Sequence, residues 1–158
     1  MRVEPKIRLI YGLTFAGILI WLGAIVSAPY LRFRGAGLAP YVYACFSPIC
    51  HQIPARSFYL FGFPLAVCAR CLGIYSGFAA GMVLYPSKRG FSSVRPPNTR
   101  LFFACSVPIV LDTAANYVHL WSTSNALRFA FGFLWGLILP FYFLTGIGDL
   151  VLRKKRKT

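Results

Sequence analysis

The stretch CHQIPARSFYLFGFPLAVCARCLGIY, residues 50–75, holds three of the five cysteines of the chain, one of its two histidines and two of its arginines. Its first half is polar and aromatic, punctuated by Pro54 and Gly62. Its second half passes into an apolar run without further charge as far as Lys88. A segment rich in reactive side chains thus leads directly into a helix of the kind that crosses a bilayer. The rest of the chain reads as the frame for that junction.

The 158 residues suit one domain, 1–158. A hydrophobic share of 58% and a mean hydropathy of +0.64 are too apolar for a soluble domain of this size. Acidic residues are confined to Glu4, Asp112 and Asp149, and the net charge is +14. The basic residues gather in 2–8, 88–100 and 153–157, between long uncharged runs. Basic clusters alternating with apolar runs are the loops beside membrane spans, drawn to anionic headgroups of the lipid bilayer. The same distribution argues against nucleic acid, whose partners collect their charge on one face. The first apolar run outlasts a signal-peptide core and lacks a small-residue cleavage site, so it reads as a retained span.

Residues 9–31 carry no charge and suffice to cross a hydrocarbon core of about 30 Å; Pro29 and then Arg32, Arg34 and Gly35 mark their end. Three more runs follow: 65–86, with Pro64 in the first turn; 101–120, interrupted only by Asp112; and 126–150. The fold expected is an all-α integral membrane protein of four transmembrane helices. The basic N-terminus (Arg2, Lys6, Arg8), the loop bearing Lys88, Arg89, Arg95 and Arg100, and the basic tail ending at Lys157 fall on one side. Both termini are therefore expected on the cytoplasmic face of a multi-pass inner (cytoplasmic) membrane protein, with residues 50–71 outside. The connection 32–64 is rich in aromatics and is expected as a structured interfacial loop, residues 54–62 forming a short helix. Gly73, Gly77 and Gly81, and likewise Gly132 and Gly136, recur every four residues, which lets helix backbones approach closely and also permits a homodimer.

Cys68-Ala-Arg-Cys71 places two sulfurs on one face of a helix start. With Cys50 and His51 they form a Cys3His set suited to tetrahedral zinc. Two rival readings stay open. Cys45, Cys50, Cys68 and Cys71 can form two disulfides in an oxidising compartment. Alternatively, Cys68 and Cys71, activated by a helix N-terminus and by Arg70, can act as a thiol–disulfide oxidoreductase pair passing electrons to a quinone. Cys105 belongs to none of these sets. Asp112 is the second anomaly, because a carboxylate within a span is costly unless paired or functional. Asp112, Asn116 and His119 share one helical stripe, and Arg128 or Arg70 is the expected partner of Asp112. Arg56, Arg70 and Arg128, with Asp112 and Asn125, form an expected polar pocket for an anionic lipid headgroup or another small anion.

Cys50-His-Gln-Ile-Pro-Ala-Arg-Ser-Phe58 and Cys68-Ala-Arg-Cys-Leu-Gly-Ile-Tyr75 together resemble the signature of domain of unknown function 2085, a family of small prokaryotic membrane proteins. Asp112 and the run Ser124-Asn-Ala-Leu-Arg128 with Gly132 and Gly136 resemble its second block. Where that family commonly has Asp-Gly-Thr-Gln, this chain has Asp112-Thr-Ala-Ala115. The resemblance covers about residues 40–140. It implies a polytopic membrane protein in which Cys50, His51, Cys68, Arg70, Cys71, Asp112, Asn125 and Arg128 form one site, and it implies no particular activity.

Overall fold

The computed structural model describes residues 4–89, 98–118 and 120–156. Arg2, Arg95, His119 and Lys157, named above, lie outside them. Five α-helices make up most of the described chain: α1 (Glu4–Phe33), α2 (Ala39–Phe46), α3 (Ala69–Arg89), α4 (Thr99–Tyr117) and α5 (Asn125–Arg156). Between α2 and α3 lie a single 3-10 turn (Pro54–Arg56) and two short strands, β1 (Tyr59–Leu60) and β2 (Phe63–Pro64). The segments 6–33 and 125–149, 28 and 25 residues long, are long and apolar enough to cross a membrane. Among the described residues α3 and α4 do not reach the same apolarity, because Arg70 and Ser76 interrupt one and Asp112 and Asn116 the other.

Local chemistry sets the helix ends. α1 runs straight through Pro29 and stops where Gly35 adopts a φ of +67°. There the Gly35 N–H donates to the Arg32 carbonyl at 3.1 Å and the Ala36 N–H to the Leu31 carbonyl at 2.9 Å. This is the Schellman pattern, which favours glycine because a side chain resists that conformation. The Asn98 side chain accepts from the Arg100 N–H at 3.0 Å and starts α4. At α5, the Ser124 hydroxyl accepts from the Leu127 N–H at 3.3 Å.

The connection from 32 to 64 departs from expectation. Residues 54–62 form no continuous helix: after the 3-10 turn the chain becomes a hairpin, with Tyr59 opposite Pro64 and Leu60 opposite Phe63. Phe61 and Gly62 both have positive φ, +54° and +81°, as the tight two-residue turn between twisted strands requires. Pro64 consequently lies in β2 rather than in a helix. α3 starts four residues beyond the expected 65, after the buried run Leu65, Ala66 and Val67. The Tyr43 hydroxyl donates to the Pro64 carbonyl at 2.5 Å, tying the hairpin to α2. Arg32 lies over the Phe63 ring at 5.3 Å from its centroid and anchors the hairpin to the end of α1.

α3 and α5 pack most closely. A Cβ built at Gly77 would overlap the Phe133 carbonyl, one at Gly136 the Ile74 carbonyl, and one at Gly132 the Arg70 carbonyl. The two glycine rows therefore face each other in a seam within one chain. α1 joins the seam through a cluster of Met82, Tyr85 and Leu144 with Tyr11, Phe15, Phe78 and Phe141. The Tyr11 hydroxyl donates to the Met82 carbonyl at 2.9 Å. A second cluster, including Ile25, Ala28, Phe46 and Cys50, lies beneath the loop. Trp21 packs edge-on against Phe46 with centroids 4.9 Å apart.

Replacing Gly77 by Leu should lower stability by about 3 kcal/mol or more, the upper range for overpacking, since backbone rather than a flexible side chain stands in the way. Gly12→Leu, where a Cβ meets nothing within 4 Å, should leave the thermal unfolding temperature in detergent unchanged. Comparable unfolding of both variants would contradict the seam.

Candidate metal centre and anion cavity

Cys68 immediately precedes α3, and its carbonyl accepts the first helical hydrogen bond, from the Leu72 N–H at 2.9 Å. Cys71 lies three residues further, in the first turn. Both residues thus sit at the N-terminal end of α3. Cys50 arrives from the other side, just beyond α2, with its N–H bonded to the Phe46 carbonyl at 3.0 Å. The Sγ atoms of Cys50, Cys68 and Cys71 all lie within 4.8 Å of one another. The Cys68 N–H donates to the Cys50 sulfur at 3.1 Å. Hydrogen bonds from the side chains of Cys68 and Cys71, and from backbone N–H groups, hold the Cys50 thiol far below its ordinary pKa despite burial. All five cysteines are free thiols in this structure. Cys45, exposed, and Cys105, half-buried, lie outside the sulfur group.

Gln52 holds the two halves of the centre together. Its side-chain amide donates to the Tyr43 carbonyl at 2.7 Å and to the Ala66 carbonyl at 2.8 Å. It adopts a φ of +50°, unusual for a residue with a side chain, so the chain turns sharply just after the cysteine. Two neighbours expected to act together nevertheless diverge. Cys50 is buried at 5% exposure, whereas His51 is exposed and does not join the three sulfurs.

His51 instead lines an adjoining cavity of about 350 Å³, together with Ile53, Arg56, Cys68, Arg70 and Arg128 among others. Arg56 comes from the 3-10 turn, Arg70 from α3 and Arg128 from α5, so three distant parts of the sequence supply its positive charge. Behind them lies Asp112, 2% exposed. It pairs with Arg70 and accepts a hydrogen bond from the Thr123 hydroxyl. The Asn116 amide donates to its carboxylate at 3.0 Å and to Thr123 at 2.8 Å. Arg128, 7% exposed, donates to the side-chain oxygens of Asn116 at 2.9 Å and Asn125 at 3.1 Å. Asn125 in turn donates to the Ser57 carbonyl at 3.3 Å, reaching back to the loop. Arg70 is thus the ion-pair partner of Asp112, while Arg128 is held by amides.

The sequence-selected residues Cys50, Cys68, Cys71, Arg56, Arg70, Asp112, Asn125 and Arg128 come together in one region. Thr123, Gln52 and the wall residues Thr113 and Tyr117 were not singled out. Asn116, at one helical turn from Asp112, carried a readable signal; a threonine in a turn and a glutamine in a loop carried none.

A helical chain with two bilayer-length apolar helices and a thiol–arginine site at their ends is the class these features define. The chain belongs to the family described as "Predicted membrane protein (DUF2085)", whose model matches residues 50–142. It is 34% identical over 150 residues to an uncharacterized protein of Methanocaldococcus jannaschii, covering 91% of this chain and 96% of that one. A second uncharacterized protein, from Methanothermobacter thermautotrophicus, is 32% identical over 115 residues, 71% of this chain and 90% of its own. No solved structure matches.

Removing the Asp112 carboxylate while Arg70 and Arg128 remain should destabilise strongly, by about 3–5 kcal/mol, because buried positive charge loses its counter-ion. The double change Asp112→Leu with Arg70→Met should be markedly milder than Asp112→Ala alone in thermal unfolding. Additive losses would mean that the pair is not coupled.

Proposed function

We propose that this protein is a four-span membrane protein whose outward-facing centre binds a zinc-class metal ion through Cys50, Cys68 and Cys71, beside an arginine-lined pocket for an anion. The observation that carries the metal reading is the mutual approach of three sulfurs, two of them at a helix N-terminus. Thiolates are soft ligands that suit zinc, and three of them leave one tetrahedral position for another donor. His51 at the cavity rim is the protein's own donor for that position. Arg56, Arg70 and Arg128, with Asn125 and the Asp112 network behind them, form the anion pocket, which suits a lipid headgroup or another small anion.

The spans proposed are 9–31, 65–86, 101–120 and 126–150, within a single domain, 1–158, of a multi-pass protein of the cytoplasmic membrane. At about 1.5 Å per residue, α3 and α4 measure about 32 and 28 Å, close to a hydrocarbon core. Leu13 and Ile20 on α1 and Phe103 and Val110 on α4 are exposed apolar side chains, as lipid contact requires. The basic clusters put both termini in the cytoplasm. A fluorescent protein fused after Thr158 should therefore fluoresce, and alkaline phosphatase fused there should be inactive; the reverse pattern would invert the topology.

Purified protein should carry about one zinc per chain by elemental analysis. Serine at Cys50, Cys68 or Cys71 should abolish that content, and serine at Cys45 or Cys105 should leave it intact. Metal-free protein with a reducible Cys68–Cys71 bond would overturn the metal reading and favour a quinone-coupled thiol–disulfide oxidoreductase.

A further inference from the structure

The sulfur centre and the arginine cavity share a wall. Cys68 belongs to the three-sulfur group and also lines the cavity, with Arg70 two residues further along the same helix start. Three thiolates leave a tetrahedral ion one further position. Around the adjoining space stand three guanidiniums against one buried carboxylate, and three thiolates around a divalent ion add one further negative charge, so the site keeps a net positive charge for an anion to neutralise. Guanidiniums match tetrahedral oxyanions in geometry and hold them bidentately. Thr113 and Asn116 add neutral polar groups to the wall, and Ile53 and Tyr117 add apolar surface. At about 30 Å³ per water, a cavity of about 350 Å³ has the volume of about twelve waters, more than a bare monatomic anion fills.

We propose that the cavity takes a phosphomonoester dianion, and that one phosphate oxygen occupies the fourth position of the metal ion held by Cys50, Cys68 and Cys71, with His51 displaced from it. The phosphate is then clamped between the metal and Arg56, Arg70 and Arg128, and its ester group extends along Ile53 and Tyr117. This rests on the metal reading above. The phosphate comes either from a soluble ester or from a headgroup of the surrounding bilayer.

Cobalt(II) in place of zinc makes coordination visible. Full-length protein in neutral phosphatidylcholine nanodiscs, loaded with cobalt, should show sulfur-to-cobalt charge transfer. Adding inorganic phosphate should then shift the visible ligand-field bands saturably. Nanodiscs containing one part in ten of phosphatidic acid should show the same shift without added phosphate if the headgroup is the source. A response to phosphate alone assigns a soluble ester, and a response to phosphatidic acid alone assigns the lipid. Arg56→Gln, at an exposed position on the 3-10 turn, should weaken the response about tenfold or more, as losing one charge-assisted hydrogen bond does, with charge transfer unchanged. Charge transfer with bands that stay fixed in both arms overturns the proposal and leaves the metal reading standing. A shift of undiminished affinity in Arg56→Gln overturns the clamp. Absence of charge transfer removes the metal reading and this proposal with it.

Discussion

A carboxylate held away from water inside an apolar bundle must be compensated, and the end of the molecule that carries the candidate site is arranged around that requirement. Asp112 draws Arg70 from α3, Thr123 from the turn before α5, and Asn116 from its own helix. Asn116 passes the connection to Arg128, Arg128 to Asn125, and Asn125 to the loop carbonyl of Ser57. Four separate regions of the chain are thereby tied to one buried charge. α4 depends on this most, since its apolar side chains largely face outward and its other polar links to α5, Trp135 to Ser106 at 2.9 Å and Tyr142 to the Asn98 carbonyl at 2.8 Å, are few. The polar network substitutes for the close packing that joins α3 to α5.

The sulfur centre is built on the opposite principle. It sits against an apolar cluster that includes Ile25, Ala28 and Phe46, with Tyr75 and Leu72 packed beside it. Burial there raises the cost of charged sulfur, and hydrogen bonds together with the helix N-terminus offset that cost. Of its three sulfur residues Cys68 also lines the arginine cavity, so the two regions adjoin through that residue.

Much of this was legible in the sequence because it rests on residue types with few uses in lipid. Cysteines paired at a helix start, arginines next to apolar runs and a lone aspartate in an apolar helix each announce a constraint. The glycine rows at 73, 77 and 81 and at 132 and 136 announced close packing by their spacing alone, and the structure pairs them. What stayed hidden depends on backbone direction. Cys50 is buried while the adjacent His51 is exposed and outside the sulfur group, and no pattern of residue types reveals that divergence. The run Ser57-Phe-Tyr-Leu-Phe-Gly62 reads equally well as a helical turn or a hairpin, and the pairing with Phe63 and Pro64 decides between them. Uncharged runs located all four long helices, whereas only α1 and α5 are apolar enough over a bilayer's length to stand as candidate spans by themselves.

The glycine seam has a bearing on selectivity. Gly132 rests against the carbonyl of Arg70 itself, and Arg128 lies one helical turn before Gly132. The spacing between these two guanidinium-bearing helices is therefore set by backbone touching backbone, a contact that neither compresses nor spreads without breaking. The seam works as a calliper with its jaws locked. For the anion proposed above, walls fixed this way would select by size as well as by charge, and any side chain larger than hydrogen at position 132 resets the gauge.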